Sequence, residues 1–543
     1  MHVLVVGAGP VGLSLAFDLV RRGVDVRIID KEAAPSGLSK ALALHARSME
    51  LLEQAGIAQD FLDQGFHVQG LTAHLGRGGR PLQVDFAHLD SPFPFILDIP
   101  QYRTEAILTR HLEGLGVGVE RGVELVDVHQ DPDAAHAVLR DAHGGQEAVE
   151  VPWLVACDGA HSTVRHRVGI PFAGTQYPET FLLGDVRVQW SLAPDRAHVY
   201  VDTTGLLAAF PYGDQRYRLM ATAPTPAGTD DGADPTFDAL AGIARARCPV
   251  DLTLSAPTWI TWFHSHLRRA AKIRVGRIFL LGDAAHIHSP AGGQGMNTGI
   301  QDAFNLGWKL ALVIGGSASR SLLDSFAPER SGVAEAVLRL SDGLLRTATS
   351  HGLVARLLRD HVARLLVHAA PVQRRITRQI AEVAVDYRRS PIVQERRTGR
   401  GWRSGRRLRA GDRVPDVRFA DGQGEGHRVY RLLTPGIRHT VLVFGGGAPA
   451  ADRLGADLAR WREHITICHI GPGHGSAAGN GWAAVSDPQG AVRARWGLPP
   501  QGVVIVRPDG YAGFVGEAPE PAAVLDYFRH IFEQPAATGA TGV

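Results

Sequence analysis

Apolar residues fall into short β-branched runs and helical stripes from the start of the chain. Val3 to Val6 is one run, Leu13 to Arg22 carries apolar residues at helical spacing, and Val24 to Ile29 is a second strand-length run. Strand, glycine turn, helix, strand in that order predicts a βαβ unit, a parallel pair with a right-handed crossover. Further helices are predicted over Ala46 to Gln54, stopped at Gly56, and over Thr104 to Leu115. Leu71 to Leu97 alternates around Gly76, Gly78 and Gly79, which predicts a small hairpin excursion. Val151 to Cys157 and Ile278 to Leu281 read as buried strands.

From about Thr180 to Phe263 the texture turns β-rich and aromatic, with Phe181, Trp190, Tyr200, Phe210, Tyr212, Tyr217, Trp259, Trp262 and Phe263. Period-two placement sends about half of these into a core and leaves the rest for a pocket wall. Helical spacing returns at Gly295 to Ile314 and again over Leu353 to Val367. The basic stretch Arg388 to Arg413 reads as a solvated linker. Beyond it, strands at His439–Phe444, Ile465–Ile470, Val503–Val506 and Tyr511–Val515, with a helix over Ala450–Trp461, predict a compact α/β module.

With 543 residues the chain is expected to hold two or three domains. A formal charge of +2 lacks the basic field that nucleic-acid binding requires. No run approaches the roughly 18 unbroken apolar residues of a membrane span. Cys157, Cys248 and Cys468 are scattered without a CxxC pair, which excludes a disulfide framework and a cysteine-built zinc site. The N-terminus enters a strand with no basic leader, so a cytoplasmic protein is expected.

Three motifs carry chemistry. Gly7-Ala8-Gly9-Pro10-Val11-Gly12 follows a strand and opens a helix, so backbone N–H groups and the helix dipole can meet a pyrophosphate. Asp30 ends the next strand, where a carboxylate can accept ribose hydroxyls, with Lys31 behind it. Cys157-Asp158-Gly159-Ala160-His161-Ser162-Thr163-Val164-Arg165 and Gly282-Asp283-Ala284-Ala285-His286 end two more strands. Ser289-Pro290-Ala291-Gly292-Gly293-Gln294-Gly295-Met296-Asn297 then opens a helix, a loop against which a flat ring can lie. His286 and His288 flank that loop, and packed histidines beside a ligand account for them as well as proton shuttles do.

Together these motifs resemble the single-component flavoprotein aromatic hydroxylases of the hydroxybenzoate-hydroxylase fold. The resemblance spans essentially the whole chain and points to the phenol, pentachlorophenol and polyketide hydroxylase branch with an added C-terminal domain. It implies an α/β fold: a Rossmann-like FAD-binding domain (1–70, 98–178 and 268–345) interleaved with a β-rich substrate domain (71–97 and 179–267). A helical connection and linker (346–404), a thioredoxin-like domain (405–535) and a tail (536–543) follow. Asp487-Pro488-Gln489-Gly490, Trp496-Gly497 and Val506-Arg507-Pro508-Asp509-Gly510-Tyr511 carry the thioredoxin-like resemblance; without a CxxC, a redox role lacks its chemistry.

The resemblance implies FAD as cofactor, NADPH or NADH as co-substrate, and a small aromatic substrate with molecular oxygen, in a monomer or homodimer. Gly7, Gly9, Pro10, Val11, Gly12, Asp30 and Lys31 would hold the ADP half, and Lys40, where the family often has arginine, would meet phosphate. Arg47 would contact the flavin, Gln101 the ribityl and phosphate region, Asp158 the space between FAD and the pyridine nucleotide, and Gly282 with Asp283 the ribityl hydroxyls. Pro290, Gly293, Gln294, Gly295, Met296 and Asn297 would line the isoalloxazine, with Arg47 and Pro290 nearest the chemistry. The implied reaction is hydroxylation of an electron-rich aromatic carbon through a flavin 4a-hydroperoxide. Baeyer–Villiger insertion, epoxidation and a catalytically silent flavin-containing binding protein are the alternatives. The Trp-x-Trp-x-Ile-Pro pattern of flavin halogenases is absent.

Overall fold

The computed structural model describes the chain except residues 38, 40, 76–80, 203, 224–234, 288–292, 334–369, 397–406, 422–423, 446, 473–481, 519 and 534–543. Lys40, His288, Pro290 and the stretch Leu353 to Val367 therefore lie outside the described residues.

The first sheet has the strand order Arg274–Val275, Ile278–Leu280, Trp153–Ala156, Val3–Val6, Val26–Asp30, Val119–Arg121. All neighbours are parallel except the short Arg274–Val275 edge. Val3 to Val6 and Trp153 to Ala156 are buried at every position, as unbroken apolar strands covered on both faces must be. The first helix, Pro10–Val20, packs on the long helix Gly295–Ile314 and on Gln101–Gly114. A three-stranded antiparallel sheet, Glu124–Gln130, Ala135–Arg140 and Gln146–Val151, adds Leu125, Val128, Leu139 and Val151 to the same core.

The second sheet has eight strands, in the order His286–Ile287, Thr253–Ala270, Phe172–Gln189, Arg216–Ala223, Gly205–Pro211, Arg196–Asp202, Gly70–Leu75, Leu82–Asp85. The hairpin expected near residue 71 pairs Gly70 with Asp85 and joins this sheet through a parallel contact with Arg196–Val201. The helix Phe237–Arg247 covers one face, capped by Thr236.

The last unit is a six-stranded sheet ordered Gln394–Arg396, Ala512–Gly516, Gly502–Val506, His439–Phe444, Ile465–Gly471, Ala483–Ser486. Cys468 is buried in it, and burial pushes its thiol up to about 11, which makes it an inert packing residue. The solvated-linker expectation for Arg388 to Arg413 is corrected at both ends. Gln394–Arg396 is an edge strand of this sheet. Arg413 is buried and donates to Glu50 Oε1 at 2.8 Å and to the Tyr430 hydroxyl at 3.2 Å. Its partner lies far upstream in sequence, so a local charge pattern gives no sign of it.

This unit and the first share a closed polar seam. Glu329 accepts from Arg507 Nη1 at 2.7 Å and Nη2 at 2.9 Å, from Lys309 Nζ at 2.7 Å, from Asn305 Nδ2 at 2.7 Å and from Ser390 Oγ at 2.5 Å. Arg507 also donates to Asp509, and all these side chains are buried. Ion pairs this deep persist only when each charge is both neutralised and hydrogen-bonded.

Candidate functional site

Four adjacent parallel strands deliver their carboxyl-terminal turns to one edge of the first sheet. Gly7 follows Val3–Val6, Asp30 ends Val26–Asp30, Asp158 follows Trp153–Ala156, and Gly282-Asp283 follows Ile278–Leu280. In an open parallel sheet this edge is where ligands bind.

The glycines of the first turn serve two different needs. Gly7 has φ +101, and a Cβ there would fall 2.4 Å from the Cys157 carbonyl oxygen. A Cβ at Gly12 would fall 1.9 Å from the Gly7 oxygen. Both are fixed by protein packing. At Gly9 a Cβ would meet nothing within 4 Å, so no protein atom explains that glycine, whereas a pyrophosphate against the backbone would. Pro10 opens the helix, where its missing N–H costs nothing. Val11 packs against Gly282 and Gly299, where added Cβ atoms would approach its Cγ2 to 2.9 and 2.4 Å.

Asp30 clasps this turn from the neighbouring strand. Its Oδ2 accepts Ala8 N–H at 2.7 Å and its Oδ1 accepts Glu32 N–H at 2.9 Å, with Arg121 at 3.6 Å. Lys31 follows it, exposed. Asp158 Oδ2 accepts Val164 N–H at 3.2 Å, while its Oδ1 is buried with no protein partner, and burial raises its pKa. Arg165, in the short helix Thr163–Arg167, is a further residue at this edge that the motif assignment leaves without a role. Its guanidinium donates to Ala284 O at 3.0 Å and Ala160 O at 2.9 Å, tying the two aspartate-bearing turns together. Its place in the motif after Asp158 was the available signal.

Gly282 takes φ +55, and its N–H donates to Asp302 Oδ2 at 3.2 Å. The same oxygen lies 2.7 Å from His286 Nε2, and Asp302 Oδ1 accepts Arg330 Nε at 2.6 Å. Burial alone would raise the Asp302 carboxyl, but Arg330 and His286 hold it at about 2. His286 is thus a packed, bonded histidine. Asp283, next to this buried anchor, is exposed.

The loop before the long helix is fastened from behind. Gly293 has φ +63 and its carbonyl accepts Asn297 Nδ2 at 3.1 Å. Asn297 Nδ2 also donates to Ala43 O at 2.8 Å, and its Oδ1 accepts His45 N–H at 2.8 Å. The Asn297 side chain is fully buried and holds the loop from behind. Gln294 Nε2 donates to Gln379 O at 3.1 Å, Gly295 has open space at its Cβ position, and Met296 is partly buried against the core. Gln101 opens its helix rather than preceding it. It accepts Ala41 N–H at 3.1 Å, donates to Glu105 at 2.8 Å and, through its N–H, to Ser39 Oγ at 2.9 Å, fastening the segment beside Lys40.

Arg47 is not part of this edge. Its guanidinium is fully buried, donates to Glu50 at 3.0 Å and to the Asp509 carbonyl, and lies 4.7 Å above the Tyr511 ring. In these contacts Arg47 braces the seam.

The aromatics of the second sheet separate by parity. Tyr200, Tyr217, Trp190 and Trp262 pack under the helix Phe237–Arg247. Phe181, Phe210, Trp259 and Phe263 share the other face with Leu183 and Met220. On that face Arg218 binds Asp185 through two bonds of 2.8 Å, and Trp259 Nε1 donates to Asp185 at 2.9 Å. The charge of Arg218 also acts on Asp98, a buried carboxyl that burial raises well above its usual range. Asp98 pairs across strands with Ala43, and a Cβ at Gly293 would lie 3.4 Å from the Ala43 Cβ. The aromatic face therefore reaches the glycine loop through one strand.

Exposed Asp283 and the uncovered turn at Gly9 fit a flavin adenine dinucleotide. Residues 1–341 match the FAD binding domain family, and residues 407–535 match the C-terminal domain of aromatic-ring hydroxylases. The chain belongs to this family and is an FAD-dependent monooxygenase with NAD(P)H as its co-substrate. It is 37% identical over 559 residues to 6-methylpretetramide 4-monooxygenase of Streptomyces rimosus, across 99% of this chain and 95% of the relative. It is 31% identical over 522 residues to pentachlorophenol 4-monooxygenase of Sphingobium chlorophenolicum, across 94% and 92%. The solved ternary complex of aklavinone-11 hydroxylase with FAD and aklavinone superimposes with a TM-score of 0.77 at 25% identity, covering 98% of this chain and 99% of that one. Among the described residues no helix is long and apolar enough to cross a membrane.

Proposed function

We propose that the chain hydroxylates a phenolic or polyketide-type aromatic compound held between the glycine loop and the aromatic face of the second sheet. One observation carries this reading. The turns of four neighbouring strands converge on one edge, with open space where Gly9 and Gly295 lie. Bound FAD supplies hydride acceptance from NAD(P)H and activation of molecular oxygen.

The chain's residues bind and orient. The Gly7–Gly12 turn and the N-terminus of Pro10–Val20 receive the pyrophosphate, and Asp30 stands beside the ribose position. Asp283 accepts ribityl hydroxyls. Gly293, Gly295 and Met296 bring the start of the long helix to the ring, where free N–H groups stabilise the negative charge of reduction. Asp158, with one buried oxygen unpartnered, faces the pyridine nucleotide. Phe181, Phe210, Met220, Trp259 and Phe263 give an aromatic substrate an apolar wall that excludes water. The names of the relatives, which act on pretetramides, tetracyclines and pentachlorophenol, support that substrate class. The enzyme works as a monomer or homodimer, and three free cysteines fit the cytoplasm.

A screen of phenols and aromatic polyketides tests this. The expected result is substrate-stimulated NAD(P)H oxidation with oxygen uptake and a product that gains one oxygen while keeping its ring. Ring expansion would replace hydroxylation with oxygen insertion, and absence of stimulated oxygen uptake across the panel would overturn the proposed substrate class.

A further inference from the structure

Glu382 stands in the left-handed region with φ +58, a backbone state that residues with a Cβ adopt rarely. It is 3% exposed. Its carboxyl accepts from Thr298 Oγ1 at 3.3 Å and from Gln301 Nε2. Thr298 closes the first turn of the long helix, roughly 5 Å along the axis from Gly295 at 1.5 Å per residue. The same short segment fastens both elements around the glycine loop. Gln379 O accepts Gln294 Nε2 at 3.1 Å, and Ala381 O accepts Arg47 N–H at 3.2 Å. A strained residue thus plants a buried acid on the helix start that faces the flavin.

The charged groups around it are few. Arg330 donates to Thr298 O at 2.9 Å, to the Tyr387 hydroxyl at 2.8 Å and to Asp302. Asp302 lies on the helix itself and is shared with His286. Arg47 is adjacent through its backbone, but its guanidinium is committed to Glu50 and Asp509. Burial pushes the Glu382 carboxyl up to about 8, against the pull of Arg330 and of the bonds from Gln301 and Thr298, and Asp302 adds to the rise.

We propose that Glu382 is a positioning residue that sets the field at the flavin loop and couples a proton to flavin reduction. Neutral, it leaves the positive end of the long helix to the flavin; ionised, it draws on the same short-range helix field and opposes the arriving charge. Hydride transfer brings two electrons and one proton to the oxidised ring and leaves one net negative charge. Where Glu382 is ionised, it then takes one further proton from solvent. This rests on the reading that the ring lies at Gly293 to Met296.

Glu382→Gln keeps the shape and cannot ionise. Three measurements on it and on Gln301→Leu test the proposal. In the apoprotein, a carboxyl raised from 4.5 to about 8 holds its proton better folded than unfolded, so its contribution is full at acid pH and is lost as pH rises through that window. The melting temperature of the parent should therefore fall across that range more than that of Glu382→Gln. With FAD bound, the midpoint potential of the parent should fall more steeply above about pH 8, by one extra proton per two electrons, and Glu382→Gln should lack the added slope. Gln301→Leu removes a donor and should move the break to higher pH, which keeps the test intact if Glu382→Gln folds poorly. Equal slopes in folded, FAD-bound parent and variants would overturn the proposal. A folded Gly293→Val that binds FAD and is reduced at the parental rate would instead overturn the ring placement on which it rests.

Discussion

The long helix Gly295–Ile314 meets two polar environments, and they behave in opposite ways. At its start the neighbouring turns carry an exposed Asp283 and, at the Cβ positions of Gly9 and Gly295, space with no protein atom within 4 Å. Roughly three to four turns further on, Asn305 and Lys309 enter a seam in which Glu329, Arg507, Asp509 and Ser390 bond one another. Both regions are rich in arginine and aspartate. Charge that is buried and paired is architecture, whereas a strand-end edge with space above its backbone can take a ligand.

The seam is where substitution should cost most stability. Glu329→Ala leaves Lys309 and Arg507 buried without their shared carboxylate and should destabilise by about 3–5 kcal/mol in urea unfolding, as removal of one partner of a buried ion pair does. A loss below about 1 kcal/mol, the range of exposed pairs, would show that water reaches the seam.

Arg47→Met should cost about 2 kcal/mol, since Glu50 loses one charged hydrogen bond but keeps Arg413, while FAD affinity stays within about three-fold. A large loss of FAD affinity at unchanged stability would return Arg47 to the cofactor site.

Asp302 joins the two regions through Gly282 and Arg330. Its folded pKa of about 2 lies below its ordinary 3.8, so its contribution is present above that value and is lost as pH falls through about 2. That loss amounts to about 2 kcal/mol in the parent. Asp302→Asn should flatten this part of the acid unfolding profile, and an unchanged profile would remove Asp302 from the anchor.

Much of the open edge was legible in the chain because its requirements are local. Gly12 answers a contact with Gly7 inside one strand–turn–helix unit, the glycine spacing announces Gly7 although its own contact is the distant Cys157 carbonyl, and the acids sit at strand ends that apolar runs announce. The split of Trp259 from Trp262 follows from the two-residue period, although which face meets the cleft does not. The seam was illegible for the opposite reason. Arg47 looks the same in sequence whether it meets a flavin or the carbonyl of Asp509, 462 residues away. Arg413 finds Glu50 at a separation of 363 residues, so its neighbours describe a linker while its fold position is a core. Gln379 to Glu382 carries no motif, and its role emerges only where it touches the helix start.

The difference between the two regions is tested most directly at Gly9, the fingerprint glycine that no protein contact explains. Its φ of −75 and ψ of −177 suit any residue, and a Cβ there meets no protein atom within 4 Å. Titration of FAD into apo Gly9→Val, with melting curves of the apoprotein alongside, therefore has a sharp expectation. The apoprotein should melt with the parent, while FAD binding weakens by at least about ten-fold, or 1.4 kcal/mol, because only the cofactor occupies that space. A Gly9→Val protein that folds and binds FAD with parental affinity would contradict the placement of the cofactor on this edge.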